Sequence, residues 1–179
     1  MEAATKESRP LFTNQQLCAL IVPLLIEQLL AVAVGMADTM MVSQAGEAAV
    51  SGVSLVDMIN NLIIYLFSAL ATGGAVVTSQ FIGARRIREA GDSAGQLVLL
   101  SLLSGLGILA FCLLCGRPVM RLFFGSITED VMEAGLLYLR ITAVSYPFLA
   151  LYNAGAALFR SVGNSGISMR VSIVMNLIN

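Results

Sequence analysis

Two carboxylates, Glu27 and Asp38, lie inside a segment from Leu17 to Val42 that is otherwise almost entirely apolar or small. A helix of about 20 apolar residues crosses a bilayer, and this segment is longer. A charged group in such a helix costs about 2.5–3.5 kcal/mol on insertion scales, so it normally faces a bundle interior or a water-filled cavity. Eleven residues at about 100° each bring both carboxylates to one helix face, which is therefore expected to be polar.

The composition of the whole chain is that of a membrane protein. Hydrophobic residues make up 58% and charged residues 12% of the 179 residues, against about 45–50% and about 25% in soluble domains. The mean hydropathy is +0.87. A net charge of −1, with one short basic run at Arg85-Arg86-Ile87-Arg88, excludes the basic surface that nucleic-acid binding needs. The absence of histidine removes the commonest metal ligand and near-neutral acid–base group, so we do not expect an enzyme.

Polar breaks divide the chain into five apolar helices. We expect residues 1–16 to form a cytoplasmic N-terminal segment and residues 17–179 to form an incomplete transmembrane lobe. The predicted helices cover about 17–42, 48–78, 94–115, 136–159 and 167–179. Gly116-Arg117-Pro118 is expected to end helix 3, Ser126-Ile127-Thr128-Glu129 to open a short interfacial helix, and Pro147 to bend helix 4. About thirteen residues cannot span a bilayer, so helix 5 is expected to be truncated.

The positions of Lys and Arg predict the orientation in the membrane. One side of a hairpin topology collects the residues before helix 1, after helix 2 and at the turn between helices 4 and 5: Lys6, Arg9, Arg85, Arg86, Arg88, Arg160 and Arg170. The other side carries Arg117 and Arg121, so the N-terminus is expected to be cytoplasmic in a cell inner membrane. The alternative of a cleaved signal peptide is disfavoured, because Glu27 and Gln28 interrupt its core and apolar sequence continues after Ala33.

Helix 2 carries a second polar stripe. Ser54, Asp57 and Asn61 recur at i, i+3 and i+7 with Asn60 alongside, so they share one face. At 1.5 Å per residue, Asp38 and Asp57 lie about 6 Å and about 13 Å from the outer ends of their helices and could open onto one cavity. The alternative for the helix 2 residues is structural hydrogen bonding between helices. The predicted cavity-lining residues are Glu27, Ser54, Asp57, Asn60, Asn61 and Asn153.

Proline and glycine positions mark where helices bend or approach each other. Pro23, inside helix 1, frees the carbonyl four residues earlier and creates a bend point. That bend point is either a passive kink or a functional hinge. Gly105 and Gly107 in helix 3 permit close helix approach or local bending.

Several runs of residues carry a family resemblance. They are Pro23-Leu24-Leu25-Ile26-Glu27-Gln28, Gly35-Met36-Ala37-Asp38-Thr39-Met40-Met41-Val42, Gly46-Glu47-Ala48-Ala49-Val50-Ser51-Gly52-Val53-Ser54, Ala71-Thr72-Gly73-Gly74-Ala75 with Ser79-Gln80, and Leu158-Phe159-Arg160-Ser161-Val162-Gly163-Asn164. Together they resemble the start of the multidrug and toxic compound extrusion (MATE) transporters. The resemblance covers about residues 11–179. In the last run, Ser161 and Asn164 stand where Gly and Asp are commoner in the family.

The resemblance implies an all-α, polytopic membrane helix bundle. It implies a twelve-helix antiporter of two six-helix lobes, of which this chain holds about four and a half helices of the N-terminal lobe and lacks the second lobe. Such an antiporter exports small amphipathic or cationic drugs across the lipid bilayer in exchange for H⁺ or Na⁺, without another cofactor. Asp38 falls on the coupling aspartate, a candidate Na⁺ ligand, and Pro23 on the proline where helix 1 bends. Tyr138 and Asn179 fall near members of the same polar network.

Two alternative functions remain open. A lipid-linked saccharide flippase of the same superfamily would be expected to line its cavity with arginines, and only Arg140 lies inside a predicted helix. An intramembrane aspartyl protease would use Asp38 and Asp57 as a dyad that shares a proton. Its Gly-x-Gly-Asp pattern is absent, because Ala37 occupies the position of the second glycine.

Overall fold

The described part of the chain is entirely helical apart from its turns. A computed structural model describes the backbone of residues 14–178 and, within it, the side chains of residues 17, 18, 21–37, 39–44 and 46–174. The helices are α1 (Asn14–Val42), α2 (Glu47–Gly83), α3 (Ile87–Phe124), α4 (Glu129–Ala143), α5 (Tyr146–Ser161) and α6 (Ser165–Ile178). A 3₁₀ turn, Ser43–Ala45, joins α1 to α2, and Gly46 follows it with a φ of 99°, which favours glycine. The expected all-α class is confirmed.

The long helices have the length and composition of membrane spans. Ile21–Val42 within α1, the whole of α2 and the whole of α3 are each long and apolar enough to cross a bilayer. The pair α4 and α5, bent by 49° at a short break, is long and apolar enough together to form either one broken span or a re-entrant loop. Many large apolar side chains, including Leu29 and Leu114, are exposed on the outside of the bundle. Such exposure suits a surface that faces lipid or another membrane helix.

The core lies among α2, α3, α4 and α5, and α1 stands at its side. Phe67, Met120, Leu139 and Tyr146 are almost completely buried where these four helices meet. In contrast, α1 packs chiefly against α6 and has little contact with α2. The first and last described helices therefore form a pair beside the core.

Glycines allow the core helices to approach closely. A Cβ atom added to Gly105 in α3 would lie 2.7 Å from Cα of Pro147 in α5. A Cβ atom added to Gly52 in α2 would lie 2.8 Å from the backbone nitrogen of Gly135 in α4. Both distances are shorter than van der Waals contact, so these two helix pairs are closer than any side chain would permit. Gly107 meets no atom within 4 Å, so of the two predicted packing glycines in helix 3 only Gly105 lies at a contact.

The structure corrects the predicted end of helix 3. Gly116-Arg117-Pro118 does not end the helix, because α3 continues through Pro118 to Phe124. The residues just after the proline, Val119 and Met120, are buried in the core. Their packing outweighs the lost backbone hydrogen bond at Pro118, as tertiary contacts often outweigh local propensity. The helix also begins at Ile87, seven residues before the predicted start at residue 94.

The structure also corrects the predicted helix 4. No separate interfacial helix forms at Ser126-Ile127-Thr128-Glu129; Glu129 is instead the first residue of α4. The helix then stops at Ala143, and α5 begins at Tyr146 with Pro147 in its first turn. Proline favours the start of a helix and disfavours its interior, so the chain breaks before Pro147 rather than curving through it.

Candidate functional site

An open pocket of about 320 Å³ lies between α1, α2 and α4, near the turn that joins α1 to α2. Its lining residues are Gly35, Thr39 and Val42 from α1, Val50, Val53, Ser54, Asp57, Asn60, Asn61 and Ile64 from α2, and Tyr138 from α4. The four polar residues predicted to share one face of helix 2 therefore line one wall together. We call this cavity the outer pocket.

Asp57 is hydrogen-bonded to α4 directly and to α5 through Asn60. Its Oδ1 atom accepts hydrogen bonds from Oη of Tyr138 at 3.3 Å and from Nδ2 of Asn60 at 3.4 Å. Oδ1 of Asn60 in turn accepts a hydrogen bond from Oη of Tyr146 at 2.7 Å. Among the described residues, no Lys or Arg forms an ion pair with Asp57. The hydrogen bonds recorded for this wall therefore come from neutral donors.

The residues implied by the family resemblance lie partly outside the described residues. The backbone of Asp38 lies in α1 between Gly35 and Thr39, which both line the outer pocket, but its side chain is outside the described residues. Asn179 lies outside them altogether. Pro23 lies inside α1, which continues as a helix on both sides of it. The coupling and hinge roles of these residues remain predictions.

Two residues predicted to line a cavity lie away from the outer pocket. Glu27, in α1, accepts hydrogen bonds from Oη of Tyr152 in α5 at 2.6 Å and from Oγ of Ser168 in α6 at 3.1 Å. Asn153 donates a hydrogen bond to the carbonyl oxygen of Leu149, one turn earlier in α5, at 2.9 Å. Glu27 lies away from the outer pocket because the part of α1 that carries it packs against α6. The pocket is bordered by the C-terminal part of α1.

Tyr146, Tyr152 and Ser168 were missed by the sequence reasoning. Ser168 did carry a signal, because with Ser165 and Ser172 it recurs at i, i+3 and i+7 on one face of α6. For Tyr146 and Tyr152 the signal was indirect, because a carboxylate in a membrane span requires polar partners from neighbouring helices. That requirement predicts that partners of Glu27 exist, but it does not say on which helix they lie.

The family of the chain follows from its match to a family model. The MatE model matches residues 23–179, which include all of the outer pocket. This chain belongs to the MatE family. The members of this family are transporters rather than enzymes, and they are helical membrane bundles.

Two curated relatives belong to the same type of transporter. The chain is 30% identical over 176 residues to the uncharacterized transporter YisQ of Bacillus subtilis (strain 168), a match that covers 98% of this chain and 38% of that protein. It is 27% identical over 156 residues to the probable multidrug resistance protein NorM of Aromatoleum aromaticum, covering 86% of this chain and 32% of that protein. The chain thus spans about a third of the length of these MatE relatives.

Solved structures show the same fold. A crystal structure of MATE in the straight conformation has a TM-score of 0.82 and 23% identity, over 90% of this chain and 36% of that chain. A transporter of the MOP superfamily from Pyrococcus furiosus has a TM-score of 0.82 and 24% identity, over 90% of this chain and 35% of that chain. The arrangement of α1 to α6 is therefore that of part of a MatE transporter.

Proposed function

We propose that this chain is part of a secondary active multidrug antiporter that exports amphipathic or cationic compounds in exchange for H⁺ or Na⁺. The observation that carries this proposal is the polarity of the outer pocket. Asp57, Asn60 and Asn61 line it, and none of its described lining residues is Lys or Arg. An acidic pocket between apolar walls suits a compound that is positively charged at one end and apolar elsewhere. The name of the NorM relative, a probable multidrug resistance protein, supports drug export.

Asp38 is the coupling residue in this proposal. A charged Asp38 attracts a cationic compound into the outer pocket, and uptake of H⁺ or Na⁺ by Asp38 removes that attraction. The two ligands then favour different arrangements of the helices, which is what alternating access requires. Pro23 is the bend point of α1, and Tyr138 and Asn179 are the polar partners. Tyr138 lines the outer pocket and donates a hydrogen bond to Asp57, which supports its proposed role as a polar partner.

The proposed location is the cell inner membrane, with a cytoplasmic N-terminus. The outer pocket then lies in the outer half of the bilayer, because it borders the turn Ser43–Ala45 between α1 and α2. The excess of Lys and Arg on the opposite side of the hairpins supports this orientation.

The pocket polarity weighs against the two alternatives. A flippase for lipid-linked saccharides carries an anionic substrate, whereas Arg140 is exposed on α4 and is not among the residues that line the pocket. For the Pyrococcus furiosus transporter of the same fold, a reversed polarity of the binding pocket suggests a different function. An aspartyl protease would need a water between two free carboxylates, whereas Asp57 already accepts hydrogen bonds from Tyr138 and Asn60.

Transport by the full-length gene product in proteoliposomes tests the proposal. A fluorescent amphipathic cation and an anionic dye of similar size are compared under an imposed H⁺ gradient and under an imposed Na⁺ gradient. We expect gradient-driven movement of the cation only, and the gradient that drives it identifies the coupling ion. Translocation of a lipid-linked saccharide without gradient-driven movement of the cation would contradict the proposal and favour the flippase.

A further inference from the structure

A second carboxylate cluster lies apart from the outer pocket, where α1 meets α5 and α6. Both carboxylate oxygens of Glu27 accept hydrogen bonds, Oε1 from Tyr152 at 2.6 Å and Oε2 from Ser168 at 3.1 Å. Ser168 is only 2% exposed, and Ser172 on the next turn of α6 is 7% exposed. A cavity of about 150 Å³ between α5 and α6 is lined by Tyr152 and Ser168 themselves. Three helices thus contribute facing polar side chains to one place inside apolar segments.

The charge of Glu27 has no basic partner in the described part of the chain. The ion pairs recorded there lie near the ends of α3, between Arg86 and Glu89 and between Arg117 or Arg121 and Glu129. On the helices packed against α1, the titratable group in contact with Glu27 is Tyr152 of α5, and the contact from α6 is the hydroxyl of Ser168. The carboxylate on α2, Asp57, accepts its hydrogen bonds from Asn60 and Tyr138, at the outer pocket.

We propose that Glu27 is a second proton-binding site of the transporter, separate from Asp38. A carboxylate within an apolar span is costly while it is charged, and a bound proton removes that cost. Hydroxyl groups can donate hydrogen bonds to a carboxylate and can accept one from a carboxylic acid, so Tyr152 and Ser168 satisfy both protonation states. Because hydroxyl hydrogens already occupy both oxygens of Glu27, a proton enters this cluster with less rearrangement than a metal ion.

Protonation of Glu27 would loosen α1 from its neighbours. Hydrogen bonds to an ionised carboxylate are roughly twice as strong as neutral ones. Glu27 lies four residues after Pro23. The contacts of α1 with the rest of the bundle are mainly contacts with α6. A proton on Glu27 therefore weakens the attachment of α1 close to its bend point. This consequence rests on the proposed transport function, whereas the proton site itself does not.

Carbodiimide labelling of the purified full-length protein tests the proton site. N,N′-dicyclohexylcarbodiimide reacts with protonated carboxyl groups in membrane segments, and mass spectrometry of peptides locates the adduct. We expect labelling of Glu27 at low pH that declines as the pH rises and is the same with and without Na⁺. Protection by Na⁺ at constant pH would overturn the proposal in favour of a sodium site. Absence of labelling at every pH, while other intramembrane carboxyl groups react, would overturn it outright.

Two variants test the part played by the hydroxyl groups. Tyr152→Phe and Ser168→Ala each remove a donor to the ionised form, so half-maximal labelling of Glu27 should move up by about one pH unit. Tyr65→Phe is the matched control, because Tyr65 is 70% exposed on α2 and should leave the profile unchanged. If half-maximal labelling of Glu27 occurred at the same pH in both test variants as in the parent protein, the proposed role of the two hydroxyl groups would be contradicted. Labelling does not depend on transport, so failure of the efflux assay with an intact labelling profile would reject the antiporter and retain the proton site.

Discussion

The hydroxyl of Tyr146 connects the buried core to the outer pocket. Tyr146 is 1% exposed, and it donates to Oδ1 of Asn60 at 2.7 Å. Asn60 donates in turn to Asp57, so the orientation of the pocket carboxylate depends on a residue that does not itself line the pocket. A substitution at Tyr146 should therefore affect stability first and the pocket second.

Tyr146→Phe should lower the free energy of unfolding by about 1–2 kcal/mol, because Oδ1 of Asn60 loses its donor in a buried place. Tyr65→Phe, on the exposed face of α2, should stay within about 0.5 kcal/mol of the parent protein. The measurement is thermal unfolding of the purified full-length protein in detergent. Equal melting temperatures for the two variants would show that the hydrogen bond to Asn60 contributes nothing.

Individual site residues were predictable where they share a helix face. The spacing of Ser54, Asp57 and Asn61 placed them together, and the structure shows all three in one pocket wall. The same kind of reasoning failed for Glu27, whose spacing from Asp38 predicted a shared polar face. Periodicity gives the direction of a side chain about its own helix axis, but it does not say which neighbouring helix packs there.

Gly105 allows a close approach between α3 and α5. Gly105→Ala would place a Cβ atom 2.7 Å from the backbone of Pro147, so the two helices must separate. We expect a destabilisation of about 1–3 kcal/mol, as for other overpacked contacts. Gly107→Ala is the matched control, because that position has no atom within 4 Å and alanine is the better helix former. A Gly105→Ala protein that unfolds at the same temperature as Gly107→Ala would contradict this packing.

The helix ends were less predictable than the helices. Local signals favoured a stop at Gly116-Arg117-Pro118, yet burial of Val119 and Met120 carries α3 six residues past the proline to Phe124. Pro147, in contrast, lies in the first turn of α5, just after the break between α4 and α5. The difference between the two prolines is set by packing with other helices, which a single sequence does not display.

The orientation of the whole molecule can be tested with single cysteines. In a cysteine-free background of the full-length protein, a single cysteine at Gln44 or Ser126 should react in intact cells with a thiol reagent that does not cross membranes. Gln44 is exposed between α1 and α2, and Ser126 is exposed between α3 and α4. A cysteine at Glu89, near the start of α3, should react only after the membrane is opened, because the basic side is cytoplasmic. The reverse pattern of labelling would place the N-terminus outside.

The most direct test of cation coupling is substrate efflux by full-length protein that carries Asp38→Asn, measured in everted vesicles at an imposed ion gradient. Asparagine keeps the size of the side chain but cannot exchange a proton or offer a full charge to Na⁺, so the cation no longer favours one arrangement over the other. Expression and melting temperature should be retained or improved, since a charged side chain within a membrane span is a cost. Asp92→Asn, at an exposed position near the start of α3, is the control and should transport normally.

Asp57→Asn should reduce efflux less than Asp38→Asn, because Asp57 already has the neutral partners Tyr138 and Asn60 that an asparagine can also engage. We predict that gradient-driven efflux falls to the level of vesicles without the transporter in Asp38→Asn and persists in Asp92→Asn. Efflux near the parent level in Asp38→Asn would contradict the coupling role and leave Asp38 as a structural residue.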